Sequence, residues 1–520
     1  MSVQKVGRLD DLSRWQAIGS MGESGSMATY LDRALVVSLL LFGLTVPHSI
    51  AAAQISYLGG MICWLLRNSL SLRRSSTPRL RLASPLLSWR LNWPLLLFLL
   101  LTLLSSIFSY YPSVSLIKSR SVGLFIVFYL ISVSLTRRGA IGLICCLLIS
   151  SLVGVGYGLA EKVTGRGMVI EHIEPWSPLA GRGLQPGDVI WMVGRRRVRS
   201  LEEARAVVAR YKVGEKIEVE ALHAGDPTPP EPVKLTVTEE LRHSVEAFGL
   251  RAGRSTRQFR ISGFSRQFIT YAEQMQLLGL LLFGFVVAGG GARWWRWSLV
   301  GMVFFTGGLV LTATRSVIAS FVAAVVVVSF RFGGKRTIGL ALLGAVLITG
   351  VGTLAVISAR REMMGRFGDE STSRRIGYMK AGLRVALEHP LLGVGIDSHK
   401  QFWKEWGFPG DYVTHTHSTP IQVAMDRGLP ALGCLIWMGV ATWIGLRRLR
   451  KKALAANDLI GIGLTTGALA SLLGFSLSSL INYNFGDSET LLQLLTIIGT
   501  AGVIGGGDNG DEPGPDGGTA

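Results

Sequence analysis

Cysteine is scarce in this chain, and acid is much scarcer than base. The 520 residues include four cysteines, Cys63, Cys145, Cys146 and Cys434. All four lie in apolar runs and none forms a C-x-x-C pair, so the thiols read as small packing residues. A disulfide framework and a Cys/His zinc site are thereby excluded. Acidic residues number 34 against 53 Lys+Arg, for a net charge of +19. No D-x-D string or acidic cluster stands in the hydrophilic loops, so neither a metal nor another cofactor is expected. H-E-x-x-H and G-x-S-x-G are missing too, which argues against an intramembrane metalloprotease or a serine hydrolase. The polar start, residues 1–29, lacks a cleavable signal pattern, so the first apolar span is expected to remain as an anchor.

Apolar sequence is what the chain has in abundance. Hydrophobic residues make up 49% of it, and mean hydropathy is +0.40. About twelve spans are expected, near 31–46, 50–66, 94–110, 120–136, 139–160, 268–289, 295–313, 315–330, 337–357, 430–446, 457–481 and 487–505. With the N-terminus in the cytoplasm, each inner loop is basic. These loops hold Arg67 to Arg90, Arg137 and Arg138, Arg293 and Arg296, Arg331 to Arg336, and Arg447 to Lys452. The short outer loops near His48, Thr312 and Asn484 hold almost no Lys or Arg. The asymmetry orients the chain and accounts for its positive charge without nucleic acid. The Gly/Asp/Pro-rich tail, 506–520, reads as a disordered cytoplasmic end. Two large loops, about 161–267 and 358–429, fall on the outer side.

The first outer loop changes character. Period-two alternation in GMVIEHI, EKIEVEAL and VKLTVTE gives strands. Between them SLEEARAVVARY has helical spacing, with Ser200 and Glu203 forming a capping box. The run from Ser177 to Ile190, SPLAGRGLQPGDVI, resembles the PDZ modules of bacterial envelope proteases. That resemblance implies an α/β domain over 163–240, followed by a basic linker, 241–267. It also implies that Gly165, Arg166, Gly167 and Met168 form a carboxylate loop, with the strand from Val169 to His172 beside a bound peptide. Arg166 departs from the usual apolar residue there.

The second outer loop carries the polar chemistry. His389-Pro-Leu-Leu-Gly-Val-Gly395 is followed by His415-Thr-His417-Ser-Thr-Pro and a short amphipathic run to Gly428. Arg375 precedes it, Thr312-Ala-Thr-Arg315-Ser opens a span, and Arg260-Ile-Ser-Gly-Phe264 precedes another. In order and spacing these resemble the O-antigen ligase and polymerase superfamily. Ser418 stands where that pattern has Asn, and Ser316-Val317 departs from its Ser/Arg-Gly surroundings. The resemblance implies transfer of a glycan from a polyprenyl diphosphate to an acceptor hydroxyl, of a lipid, a growing glycan or a protein. Arg315 and Arg375 would bind the diphosphate, since guanidinium matches phosphate oxygens bidentately. Arg260 and Arg374 would assist them. His417 would be the base, with His415 as its rival. A position just before a helix N-terminus disfavours imidazolium and so keeps His417 neutral.

The expected fold is therefore an all-α polytopic inner-membrane protein with an inserted PDZ-like domain. It has helices over 30–160, 268–357 and 430–505, and a catalytic periplasmic loop over 358–429. A transporter is disfavoured because polar residues concentrate in the loops and not at mid-membrane. A non-catalytic receptor built around the PDZ module would leave the His417 and arginine pattern unexplained.

Overall fold

The computed structural model describes residues 27–72, 89–182, 184–222, 233–252, 255, 259–265, 267–289, 293–361, 370–410 and 414–506. Most of residues 1–29, the basic loop 73–88, parts of the 241–267 linker and nearly all of the tail lie outside these. The described residues open with α1 (Met27–Thr45), α2 (Ile50–Leu72), α3 (Trp89–Ile107), then α4 (Pro112–Ser119) and α5 (Ile126–Ser134) joined by a 3₁₀ turn, Arg120–Phe125. The long α6 (Arg137–Thr164) follows, capped by Thr136, whose side chain accepts from the Gly139 amide.

A sheet domain comes next: β1 (Met168–Ile173), β2 (Val189–Val193), β3 (Arg196–Arg197), α7 (Leu201–Val208), β4 (Lys216–Leu222), β5 (Val233–Thr236), α8 (Glu239–His243) and β6 (Leu250–Ala252). Its strands run β5-β4-β2-β1-β6, with β3 beside β2, and the pairings are antiparallel. Met168, Ile170, Ile190, Val208, Ile217 and Leu235 fill its core. Ser200 caps α7 by accepting from the Glu203 amide, and Glu203 accepts from the Arg199 amide in return. The capping box thus forms, one residue earlier on its return arm than the motif requires.

The chain then returns to apolar helices: α9 (Phe268–Ala288), α10 (Arg293–Leu311), α11 (Arg315–Phe332) and α12 (Lys335–Arg361). The 358–429 segment holds α13 (Glu370–Glu388), the short α14 (His399–Phe402) and α15 (Thr419–Arg427). Three helices close the bundle: α16 (Leu429–Ala455), α17 (Leu459–Ser479) and α18 (Ser488–Gly506). All twelve expected apolar segments are helical. Among the described residues, nine helices are long and apolar enough to cross a membrane; Leu91–Ile107 and Trp295–Leu311 are shorter apolar helices.

The bundle centres on α9 against α17, where Gly284 meets the backbone at Gly463 and Gly467. Small residues at such a crossing let two helices approach closely in a bilayer. Within this apolar core runs a polar seam absent from the sequence expectations. Glu273, 2% exposed, accepts from Ser478 Oγ at 3.0 Å. Gln493 Nε2 donates to the Gln274 carbonyl at 2.9 Å.

Candidate functional site

The His-Pro-Leu-Leu-Gly-Val-Gly segment is scaffold. Its turn docks on the end of α15: the Val394 and Gly395 amides donate to the carbonyls of Met425 and Asp426, and the Leu429 amide donates to Pro390. Gly393 and Gly428 have φ of +65° and +85°, and a Cβ on either would run into the backbone of the other's segment. Both positions therefore require glycine. A serine cluster ties this loop to the α3–α4 turn: Ser109 Oγ lies 2.8 Å from Ser398 Oγ, and Ser115 Oγ donates to the Ile396 carbonyl.

On this scaffold stands His417. It sits at the start of α15 with φ of +56°, a conformation non-glycine residues seldom adopt. Three neighbours hold it. Thr416 is pinned by its amide to Gln422 Oε1 at 2.8 Å. Thr419 is bonded to the Asn482 carbonyl and to Asn484 Oδ1. The His417 amide donates to His415 Nδ1 at 3.2 Å, which leaves the neutral His415 ring its hydrogen on Nε2. The two imidazoles meet edge to face, 4.3 Å between centroids. Tyr378 of α13 stacks on the far side of His417 at 5.9 Å.

Tyr378 also brings the arginines into register. Arg374 and Arg375 lie one helical turn before it on α13, Arg374 exposed and Arg375 half-buried. Burial and the neighbouring Arg315 both lower the Arg375 pKa from its ordinary value. Arg315, exposed at the first position of α11, is therefore near enough for its charge to act on Arg375. Asn482 links the two sides: its Nδ2 donates to Ser316 Oγ at 3.2 Å and its carbonyl receives Thr419. Arg260 stacks over Phe268 at 4.6 Å. The amide of its neighbour Ile261 reaches the Leu311 carbonyl, beside the α10–α11 turn.

The imidazoles are held neutral. Burial, then His415, then Arg375 push His417 down to about 3. Burial, then His399 and nearby cations push His415 down to about 4. His399 is a residue that the motif reading missed. It is fully buried, its Nε2 lies 3.1 Å from the Thr414 carbonyl, and its Nδ1 lies 3.8 Å from Asp426 Oδ1. Burial holds Asp426 up at about 7; Gln422 Nε2 donates to it at 3.0 Å. It opens α14, and no motif in the sequence marked it. Among the described residues no group of three His, Cys, Asp or Glu is placed to hold a metal ion.

The expected peptide loop needs correction. Strand β1 already has β2 on one edge and β6 on the other, with Ile170 opposite Ala252 and Ile173 opposite Leu250. No edge from Val169 to His172 is left for an added strand. Gly165 abuts Ser255, Gly167 abuts Val189 and Ile190, and Met168 is 1% exposed. Arg166 is buried and bonds Glu161 at 2.8 Å and Ser262 at 3.0 Å. Glu161 also receives Arg197, whose other nitrogen donates to the Gly263 carbonyl. These residues join the sheet domain to α6 and to the 259–263 segment; they do not form a carboxylate cradle. Among the described residues, the last strand at this end of the sheet is β6, entered through Gly249 in the left-handed region.

Comparison with known proteins fits both halves. Residues 300–436 match the O-Antigen ligase family model, and residues 151–229 match the PDZ domain model. The chain is thus similar to the O-antigen ligase family over one segment and to PDZ domains over another. It is also similar to two curated proteins named magnetosome formation protease MamE. One, from Magnetospirillum gryphiswaldense, is 40% identical over 67 residues, 13% of this chain and 9% of that protein. The other, from Paramagnetospirillum magneticum, is 39% identical over 62 residues, 12% of this chain and 8% of that protein. The chain therefore spans under a tenth of the length of these relatives.

Proposed function

We propose that this protein transfers a glycan from a polyprenyl-diphosphate carrier to an acceptor hydroxyl at the periplasmic face of the inner membrane. The proposal is supported by the stacking of Tyr378, one turn after Arg375 on α13, against His417, and by the influence of Arg315 on Arg375 and of Arg375 on a neutral His417, within the segment that matches the ligase family. The acceptor oxygen attacks the anomeric carbon of the donor sugar. The bond from that carbon to the diphosphate oxygen breaks, polyprenyl diphosphate leaves, and the acceptor proton passes to the His417 ring. Arg315 and Arg375 bind the diphosphate and stabilise the charge gathering on it. Arg374 and Arg260 flank that site, and His415 orients His417. A bound diphosphate would offset the two guanidiniums and raise the His417 pKa toward a useful range for a base. The chemistry uses no metal, so EDTA should leave the transfer rate unchanged.

The PDZ domain favours a protein partner, as acceptor or as assembly factor. Its β6 edge, unpaired among the described residues, suits an extended peptide adding as a strand. Gels of lipopolysaccharide and of glycoproteins from a deletion strain test the activity and separate its acceptors. Loss of a capped lipopolysaccharide, a long polysaccharide or a glycoprotein supports the proposal, and an unchanged set of all three contradicts it.

A further inference from the structure

Helix α11 begins at Arg315, one of the residues proposed for the glycan site, and ends at Phe332, about 26 Å away at 1.5 Å per residue. At that far end Arg331, Phe332, Gly333, Arg447, Arg450 and Lys451 line a cavity of about 240 Å³. Four of the six lining residues are cations and none is an acid. Two guanidiniums share one ring: Arg450 lies 4.3 Å and Arg331 5.4 Å from the Phe332 centroid. Arg450 is fixed further by Nε donating to Thr466 Oγ1 at 2.9 Å. Snorkelling alone spreads cations toward headgroups. Here they converge on a concavity, and two of them lie over one aromatic ring, which costs mutual repulsion unless an anion offsets it.

We propose that this cavity binds a phosphate group at the face of the bundle opposite the glycan site. Forked guanidiniums on a rigid platform suit a tetrahedral oxyanion with several acceptor oxygens. The volume lies below the roughly 300 Å³ of small drug-sized sites, so it takes a headgroup-sized anion. Basic pockets between spans on the inner side hold anionic lipid headgroups. A soluble phosphate compound would meet the same groups.

The test uses the full chain, purified and placed in phosphatidylcholine nanodiscs with or without phosphatidylglycerol, with pyrophosphate as the soluble probe. Retained anionic lipid and the thermal midpoint are measured. Wild type should retain phosphatidylglycerol or be stabilised by pyrophosphate, the first result assigning a lipid source and the second a soluble one. Arg331→Gln with Arg447→Gln should weaken that binding by about tenfold or more. Arg447→Gln with Lys451→Gln, which leaves the Phe332 stack intact, guards against misfolding and should weaken it in the same direction. Equal binding by wild type and both variants, or no response to either probe, overturns the proposal. So does binding seen only after removal of residues 507–520, because Asp508, Asp511, Glu512 and Asp516 of the chain itself would then be the occupant.

Discussion

Tyr378 lies nearly parallel to His417, with 16° between the rings. One helix thus presents both a diphosphate-binding arginine, Arg375, and the platform for the proposed base. A stacked pair contributes about 0.5–1.5 kcal/mol beyond burial, and His417 needs such support to keep its left-handed backbone. Tyr378→Ala should lower kcat by about threefold to tenfold with little change in donor KM. Tyr378→Phe should keep the rate, because the ring and not the hydroxyl makes the contact. Equal losses in both variants would shift the role to the phenol.

Burial first and then the charge of Arg315 disfavour the Arg375 cation in the free protein, which favours an anion beside it. Arg315→Gln should leave the thermal midpoint unchanged or raise it. The same variant should lose about a hundredfold or more in transfer, as when one transition-state donor is removed. A falling midpoint with normal transfer would make Arg315 a structural residue.

The acid limb follows from the buried imidazoles. His417 and His415 are held at about 3 and about 4, below the ordinary 6.5. In the free protein they stay neutral as pH falls through 6.5, so kcat/KM should show no limb of that pKa down to about pH 5. Stability should respond differently. The unfolded chain takes up protons on these histidines below 6.5 while the folded chain does not. Melting temperature should therefore fall as pH drops from about 6.5 toward 4. Protonation of Asp426, held at about 7 by burial, opposes this with a single proton. A melting temperature that rises over the same window would contradict the assigned environments.

Glu161 is the shared anion of Arg166 and Arg197, at 2.8 and 2.5 Å, with 4% of its side chain exposed. Glu161→Ala strands two guanidiniums and should cost about 3–5 kcal/mol. Because Arg166 and Arg197 hold Ser262 and Gly263, next to Arg260, the milder Glu161→Gln should also raise donor KM. Proteolysis of the sheet domain and donor KM are the two readouts.

Helices and strands were legible because their apolar periods are long and local. The capping box at Ser200 followed from spacing in the same way, whereas the roles given to His417 and Arg375 came from the family resemblance. The peptide edge was not legible. Strand β6 is three residues long and lies some eighty residues beyond β1, so nothing near Val169 signals that its edge is taken. Arg166 was misread for the same reason, since its partner Ser262 is distant in sequence. Glu273 went unnoticed because an apolar average hides one buried acid, and His399 because its partners, Thr414 and Asp426, come from separate turns.

The most direct test is glycan transfer by the purified full chain in proteoliposomes, supplied with a polyprenyl-diphosphate glycan and acceptor. His417→Ala should abolish transfer while donor binding and membrane insertion persist. Wild-type turnover in that variant would contradict the account.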